Sequence, residues 1–159
     1  MIVRFTKGDR KPDMLTCIRD DGTRTWSPVG AGVGVVHDLT HYAVETTLGF
    51  RQAFLGMLEA GRDIEDFGTK EGRKDTYPRE ALIAESLVGL VQISVTESNP
   101  LTIAEIQEQL TAVCTNAGLD APDIAGVDIE RARQTLLDLL VRWRDLPPGA
   151  SMDLPFPAN

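Results

Sequence analysis

The chain is poor in the residues that most readily carry chemistry. It has two cysteines and two histidines in 159 residues. Cys17 and Cys114 lack CxxC spacing and sit in unlike surroundings, one strand-like and one helical. They read as reduced, buried thiols and not as a disulfide, a redox pair or zinc ligands. Two histidines exclude any three-histidine site within one chain, although two copies could share ligands. Positive charge is also scarce: 16 Lys and Arg stand against 24 Asp and Glu, a net charge of −8. The nearest approach to a basic patch, Lys70 to Lys74, is interrupted by Glu71 and Gly72. No nucleic-acid partner is expected, because phosphate is repelled without concentrated positive charge. No run of ~18 uncharged apolar residues could cross a bilayer. Met1-Ile-Val-Arg-Phe lacks the basic-then-apolar pattern of a signal peptide, so the expectation is a cytoplasmic chain with no membrane contact. Nucleotide fingerprints are missing as well. Gly30, Gly32 and Gly34 have neither GxGxxG spacing nor a following Lys-Ser/Thr, and no Ser or Cys stands in a nucleophile elbow.

What remains is an ordinary globular pattern, long enough to bury a core without staples, and it reads as a single domain. The expected fold is α+β but mainly α. A small N-terminal antiparallel β-meander (1–29) precedes a helical body (34–146) and an extended C-terminal tail (147–159). Residues 2–6 have strand character, and two alternating runs, Met14 to Arg19 and Thr23 to Trp26, flank Asp20-Asp21-Gly22. Asp-Gly between such runs is a hairpin signal, since Gly accepts positive φ without steric cost. Four helices follow. Val35 to Ala60 reads as one long amphipathic helix closed by Gly61, with Leu39, Ala43, Phe50, Ala53, Phe54 and Met57 on its apolar face. Asp38, His41, Glu45, Gln52 and Glu59 fall on its polar side.

The charged, Gly-containing stretch 61–78 is the natural flap over any site. The helix 79–97 is apolar nearly all round and reads as the buried centre of the body. Thr102 and Glu105 form a capping box for a third helix, ending at Gly118, with Ile103, Ile106, Leu110 and Val113 inward. Asp128 suits the N-cap of a last helix to about Asp145. Trp26 and Trp143 read as core anchors.

One constellation carries chemistry. His37 and His41 are four apart on a helix, hence one turn apart on one side. Glu85 lies within the helix expected to be buried, where a carboxylate is costly unless paired. If the two helices pack together, His37, His41 and Glu85 form a three-ligand set for a divalent metal ion, zinc first, with room left for water or substrate. Iron, manganese and nickel suit the same donors. Glu45, one turn beyond His41, is the alternative carboxylate. Asp38 would orient a ligand or serve as base for a bound water.

The run His37-Asp38-Leu39-Thr40-His41 is similar to the His-Glu-x-x-His motif of the zincin metallopeptidases. There the histidines bind zinc and the acid is the general base. The likeness spans five residues, and Asp38 is one methylene shorter than Glu. No third-ligand motif accompanies it, so peptidase activity is not carried over. The upstream His of HD phosphohydrolases and the second carboxylate-x-x-His of ferritin-like bundles are both missing. The functional expectation is a cytoplasmic metal-binding protein of the hydrolase type, acting on a small molecule that the sequence does not identify. The competing expectation is a non-enzymatic helical protein, a homodimer, in which the His/Glu stripe is a buried polar network.

Overall fold

The computed structural model describes residues 1–30, 33–67 and 77–157. Most of the expected flap (68–76), with the Lys70–Lys74 run, lies outside the described residues, as do residues 31–32 of the glycine connector and the last two of the tail. Three strands open the chain: β1 (Ile2–Thr6), β2 (Asp13–Ile18) and β3 (Arg24–Val29). Among the described residues five α-helices follow: α1 (Val33–Leu48), α2 (Phe54–Glu59), α3 (Arg79–Thr96), α4 (Ile103–Asn116) and α5 (Gly126–Asp145). A single 3-10 turn covers Ile64–Phe67, and β4 (Ser151–Pro155) closes the chain. The architecture is α+β and mainly α. None of the described helices is long and apolar enough to cross a membrane.

The strands alternate as half-buried strands should. Val3, Phe5, Leu15 and Cys17 point into the core, while Arg4 and Thr16 point away. Gly22 at φ 84° makes the expected hairpin turn. The tail is extended, and its extension is used: β4 pairs antiparallel with β1, placing Leu154 opposite Val3 and Met152 opposite Phe5. The sheet order is β3-β2-β1-β4. Both edge strands carry a proline, Pro28 and Pro155, which cannot donate to a further strand. Lys7, just past β1, donates to the carbonyls of Trp143 and Leu146 at 2.8 Å each. It thereby caps α5 at the end where the helix dipole favours a cation.

The single helix expected over Val35 to Ala60 is two helices. Gly49 takes φ 69°, and the Phe50 N–H returns to the Glu45 carbonyl at 2.9 Å. This six-to-one closure ends α1 in a Schellman turn. The Arg51 and Gln52 N–H groups then donate to the Glu80 carboxylate of α3, so the break is satisfied by a neighbouring helix. Gly56 is required for another reason. A Cβ there would stand 2.1 Å from the Arg51 carbonyl oxygen.

Other sequence expectations are corrected in smaller ways. Trp26 is 55% exposed on the outer face of β3, so it is no core anchor. Trp143 is half-buried, edge-on to Phe5 with ring centroids 6.4 Å apart. In α4 the inward residues are Ile106, Leu110 and Cys114, and Val113 is exposed, because the buried stripe runs one position later. The capping box of Thr102 and Glu105 is present. The N-cap of α5 is Ala125, with Asp128 in the first turn paired to Arg131. The α3 helix buries Ile83, Ala84, Leu87, Val88, Leu90 and Val91 but leaves Leu82 and Ile93 exposed, so it is central without being enclosed.

A sharp test of the broken helix is Gly56→Ala. In a plain helix interior this change stabilises by up to ~1 kcal/mol. The contact with the Arg51 backbone reverses the sign, and urea denaturation should show a loss of about 1–3 kcal/mol.

Candidate metal centre

Helix α1 delivers three polar side chains along one stripe: His37, His41 and Glu45, each one turn after the last. His41 and Glu45 face α2 and α3, and His37 is partly exposed at the rim of the site. His41 is 4% exposed and Glu45 is fully buried. The polar side expected for this helix is therefore internal at these two positions. Helix α3 packs against α1 and brings Glu85 to the same place. Its Oε1 lies 3.4 Å from His37 Nε2 and its Oε2 lies 3.2 Å from His41 Nε2. One carboxylate thus spans both imidazoles. The ligand atoms of His37, His41 and Glu85 all lie within 4.8 Å of one another. Glu85 was expected in a buried environment, but its side chain is 63% exposed, since the site opens to one side of α3.

The far nitrogens are also accompanied. His41 Nδ1 lies 3.0 Å from Glu45 Oε1, and the other oxygen, Oε2, accepts the Leu55 N–H at 2.9 Å and the Gly56 N–H at 3.4 Å. An ionised carboxylate can only accept, so without metal the His41 imidazolium directs Nδ1–H to Glu45 and Nε2–H to Glu85, and Nε2 is the nitrogen a metal would take. His37 Nδ1 has Asp38 Oδ1 at 3.7 Å, an ion-pair separation. The two rings meet edge to face, with centroids 4.8 Å apart.

The charges follow from these contacts. Asp38 first and Glu85 second raise the His37 imidazolium to about 9, against a smaller opposing effect of burial. For His41, burial is the largest single influence and pulls downward. The carboxylates of Glu45 and Glu85 together outweigh it, and the net shift is upward. Hydrogen bonds from His37 and His41 hold Glu85 well below the usual carboxylate range. Burial pushes the Glu45 carboxyl up, by more than His41 and the two amides pull it down. Neither cysteine belongs to the group: both are buried, and desolvation pushes the Cys17 thiol up to about 12.

Glu45, weighed from sequence as an alternative ligand, stands instead on the Nδ1 side of His41. The i, i+4 spacing within α1 sets that contact, and the break after Leu48 adds to it. The break turns the chain so that the first amides of α2 reach back to Glu45, a contact that an unbroken helix cannot make. The sequence reading also missed a chain of rings leading away from His41: Phe54 at 5.0 Å, then Phe67 at 5.1 Å from Phe54, then Tyr77 stacked on Phe67 at 6.1 Å. Aromatics scattered over three elements carry no local signal. Comparison with protein-family models, curated proteins and solved structures returns no match, so the site is read from its own geometry.

Without metal, the pair of His37 and Glu85 links stability to pH. The raised His37 contributes fully below its unfolded value of 6.5 and loses that contribution as pH rises through about 9. The lowered Glu85 contributes above its ordinary value of 4.5 and is lost on acidification below it. The stabilisation is therefore greatest between these two values. In EDTA, Glu85→Gln should shrink the fall in urea midpoint between pH 6 and pH 9.5. An unchanged fall would show that Glu85 does not hold the imidazolium.

Proposed function

We propose that this chain is a metal-binding protein in which His37, His41 and Glu85 hold a divalent ion, zinc by preference, and that it acts as a metal-dependent hydrolase. The observation that carries the reading is the placing of both Nε2 atoms at 3.4 and 3.2 Å from one carboxylate. Charge-assisted hydrogen bonds between such groups run shorter, ~2.7–2.9 Å. Around a tetrahedral ion with bonds of ~2.0–2.2 Å, neighbouring ligand atoms are instead ~3.3–3.6 Å apart. The two contacts use different oxygens of Glu85, and the ligand atoms of the three residues lie within 4.8 Å of one another, so one ion would be gathered between them by side-chain rotation. His37 and Glu85 are both partly exposed, which leaves their side chains room to turn toward an ion.

Two imidazoles and a carboxylate leave a coordination position for water, the composition of a catalytic and not a closed structural zinc site. An ion held there would supply a water acidified toward neutral pH, to about 7 in such sites. Glu45 serves as the partner that fixes the His41 tautomer and raises its basicity, as carboxylates behind zinc-bound histidines do. Asp38 has the same role for His37. Its place beside Nδ1 turns it away from the ion, which favours orienting over proton abstraction from the bound water. A bound ion would supply Lewis-acid polarisation of a carbonyl and an acidified water, while His37, His41 and Glu85 would hold it and Glu45 and Asp38 would orient the two imidazoles.

Proton competition gives the reading a pH signature. Metal must displace the protons of His37 and His41, both held by carboxylates, so zinc affinity should climb from pH 6 through about 9, with proton release on binding. Calorimetric titration of untagged protein should show one zinc per chain. Glu45→Gln should weaken binding ~10–100-fold. His41→Ala, losing a ligand, should weaken it more. Equal uptake by wild type and His41→Ala, or none by either, overturns the assignment. Zinc-dependent hydrolysis of an activated ester, abolished by a chelator, tests the hydrolase class.

A further inference from the structure

A cavity of about 310 Å³ lies directly beside the group, and His41 and Glu85 form part of its wall. The remaining wall includes Phe54, Met57, Phe67, Tyr77 and Leu82. Among the described residues lining it, those with polar side chains are His41, Glu85 and Tyr77. A cavity of ~150 Å³ lined by apolar side chains accepts benzene. Twice that space accepts a substituted ring with a short polar arm, and it is within the range of small-molecule sites, ~300–1,000 Å³.

Two observations narrow the class of occupant. The rings from Phe54 to Tyr77 continue edge to face and stacked from His41, an arrangement that receives a further flat ring at low cost. The positive charge that such rings attract is already supplied by Arg62, whose guanidinium carbon lies 5.3 Å from the Phe67 centroid and 5.5 Å from that of Tyr77. A cationic ligand therefore has less to gain than a neutral aryl group.

We infer that this cavity is the specificity pocket of the site, receiving an uncharged aromatic group joined to a carbonyl or oxyanion that reaches the ion. The inference rests on the metal reading and adds the class of substrate: aryl esters, amides or related acyl compounds. Phe67 and Leu82 would set the size of the group accepted.

The test uses zinc-loaded full-length protein without excess metal, titrated with benzohydroxamate and acetohydroxamate, which share one zinc-binding group and differ in the phenyl ring. Benzohydroxamate should bind at least tenfold more tightly. Leu82→Trp, at a position 44% exposed on α3 and so tolerant of a larger side chain, fills the cavity and should abolish the difference. Phe67→Ala enlarges it and should shift preference to naphthyl hydroxamate. Zinc uptake is measured in every protein. Uptake with equal affinity for the two hydroxamates, or an advantage that survives Leu82→Trp, overturns the pocket while the metal reading stands. No zinc uptake overturns both.

Discussion

A carboxylate with no access to water has to find its partners inside the protein, and Glu45 finds them on two elements. One oxygen faces His41 on its own helix, and the other takes the first amides of α2. Removing a single partner from such an arrangement costs ~3–5 kcal/mol, because a buried charge is left uncompensated. The arrangement also forces geometry. For the amides to reach Glu45 the chain must leave α1, turn at Gly49 and re-enter helix with Gly56 pressed against the Arg51 backbone. His41 is then held in one orientation with Nε2 facing α3, and Glu85 meets it there.

The rest of the fold serves that meeting. The sheet presents its apolar face to the helices, and β4 returns from the far end of the chain to complete it. Arg19, at the end of β2, donates to the carbonyls of Leu58 and Arg62 at 2.6 Å each, tying the exit of α2 to the sheet. The Glu80 carboxylate of α3 covers the amides at the break, five residues before Glu85 on the same helix. Helix α3 therefore contributes to both the turn and the site, and a displacement of α3 would disturb the two together. Such coupling ties α1 to α3 at the site, while the His37 and Glu85 side chains stay partly exposed.

Much of this was legible in the sequence where the signal is local. The i, i+4 pair of His37 and His41 follows from helical periodicity, the hairpin from Asp21-Gly22, and the capping box from Thr102 and Glu105. Glu85 could be named because a carboxylate in an apolar helix demands a partner. The break after Leu48 was not read, because Phe50 to Met57 keep an apolar rhythm that continues the helical pattern across Gly49. Only the positive φ of Gly49 and the reach of Glu80 decide otherwise, and the second is a contact between residues nearly thirty positions apart. The face that Trp26 takes is not legible, because an alternating strand has two faces and composition alone does not say which one is covered. The pocket depends on Phe54, Phe67 and Tyr77 converging from separate segments, which no spacing records.

The claim that matters most is that both imidazoles and Glu85 share one ion. X-ray absorption at the zinc edge of the metal-loaded protein addresses it directly. The account predicts a first shell of nitrogen and oxygen at ~2.0–2.2 Å, about four scatterers, with the outer-shell pattern of two imidazoles and no sulfur. A spectrum with sulfur at ~2.3 Å, or with no imidazole scattering, would place the ion elsewhere and leave the histidines as part of a polar core network.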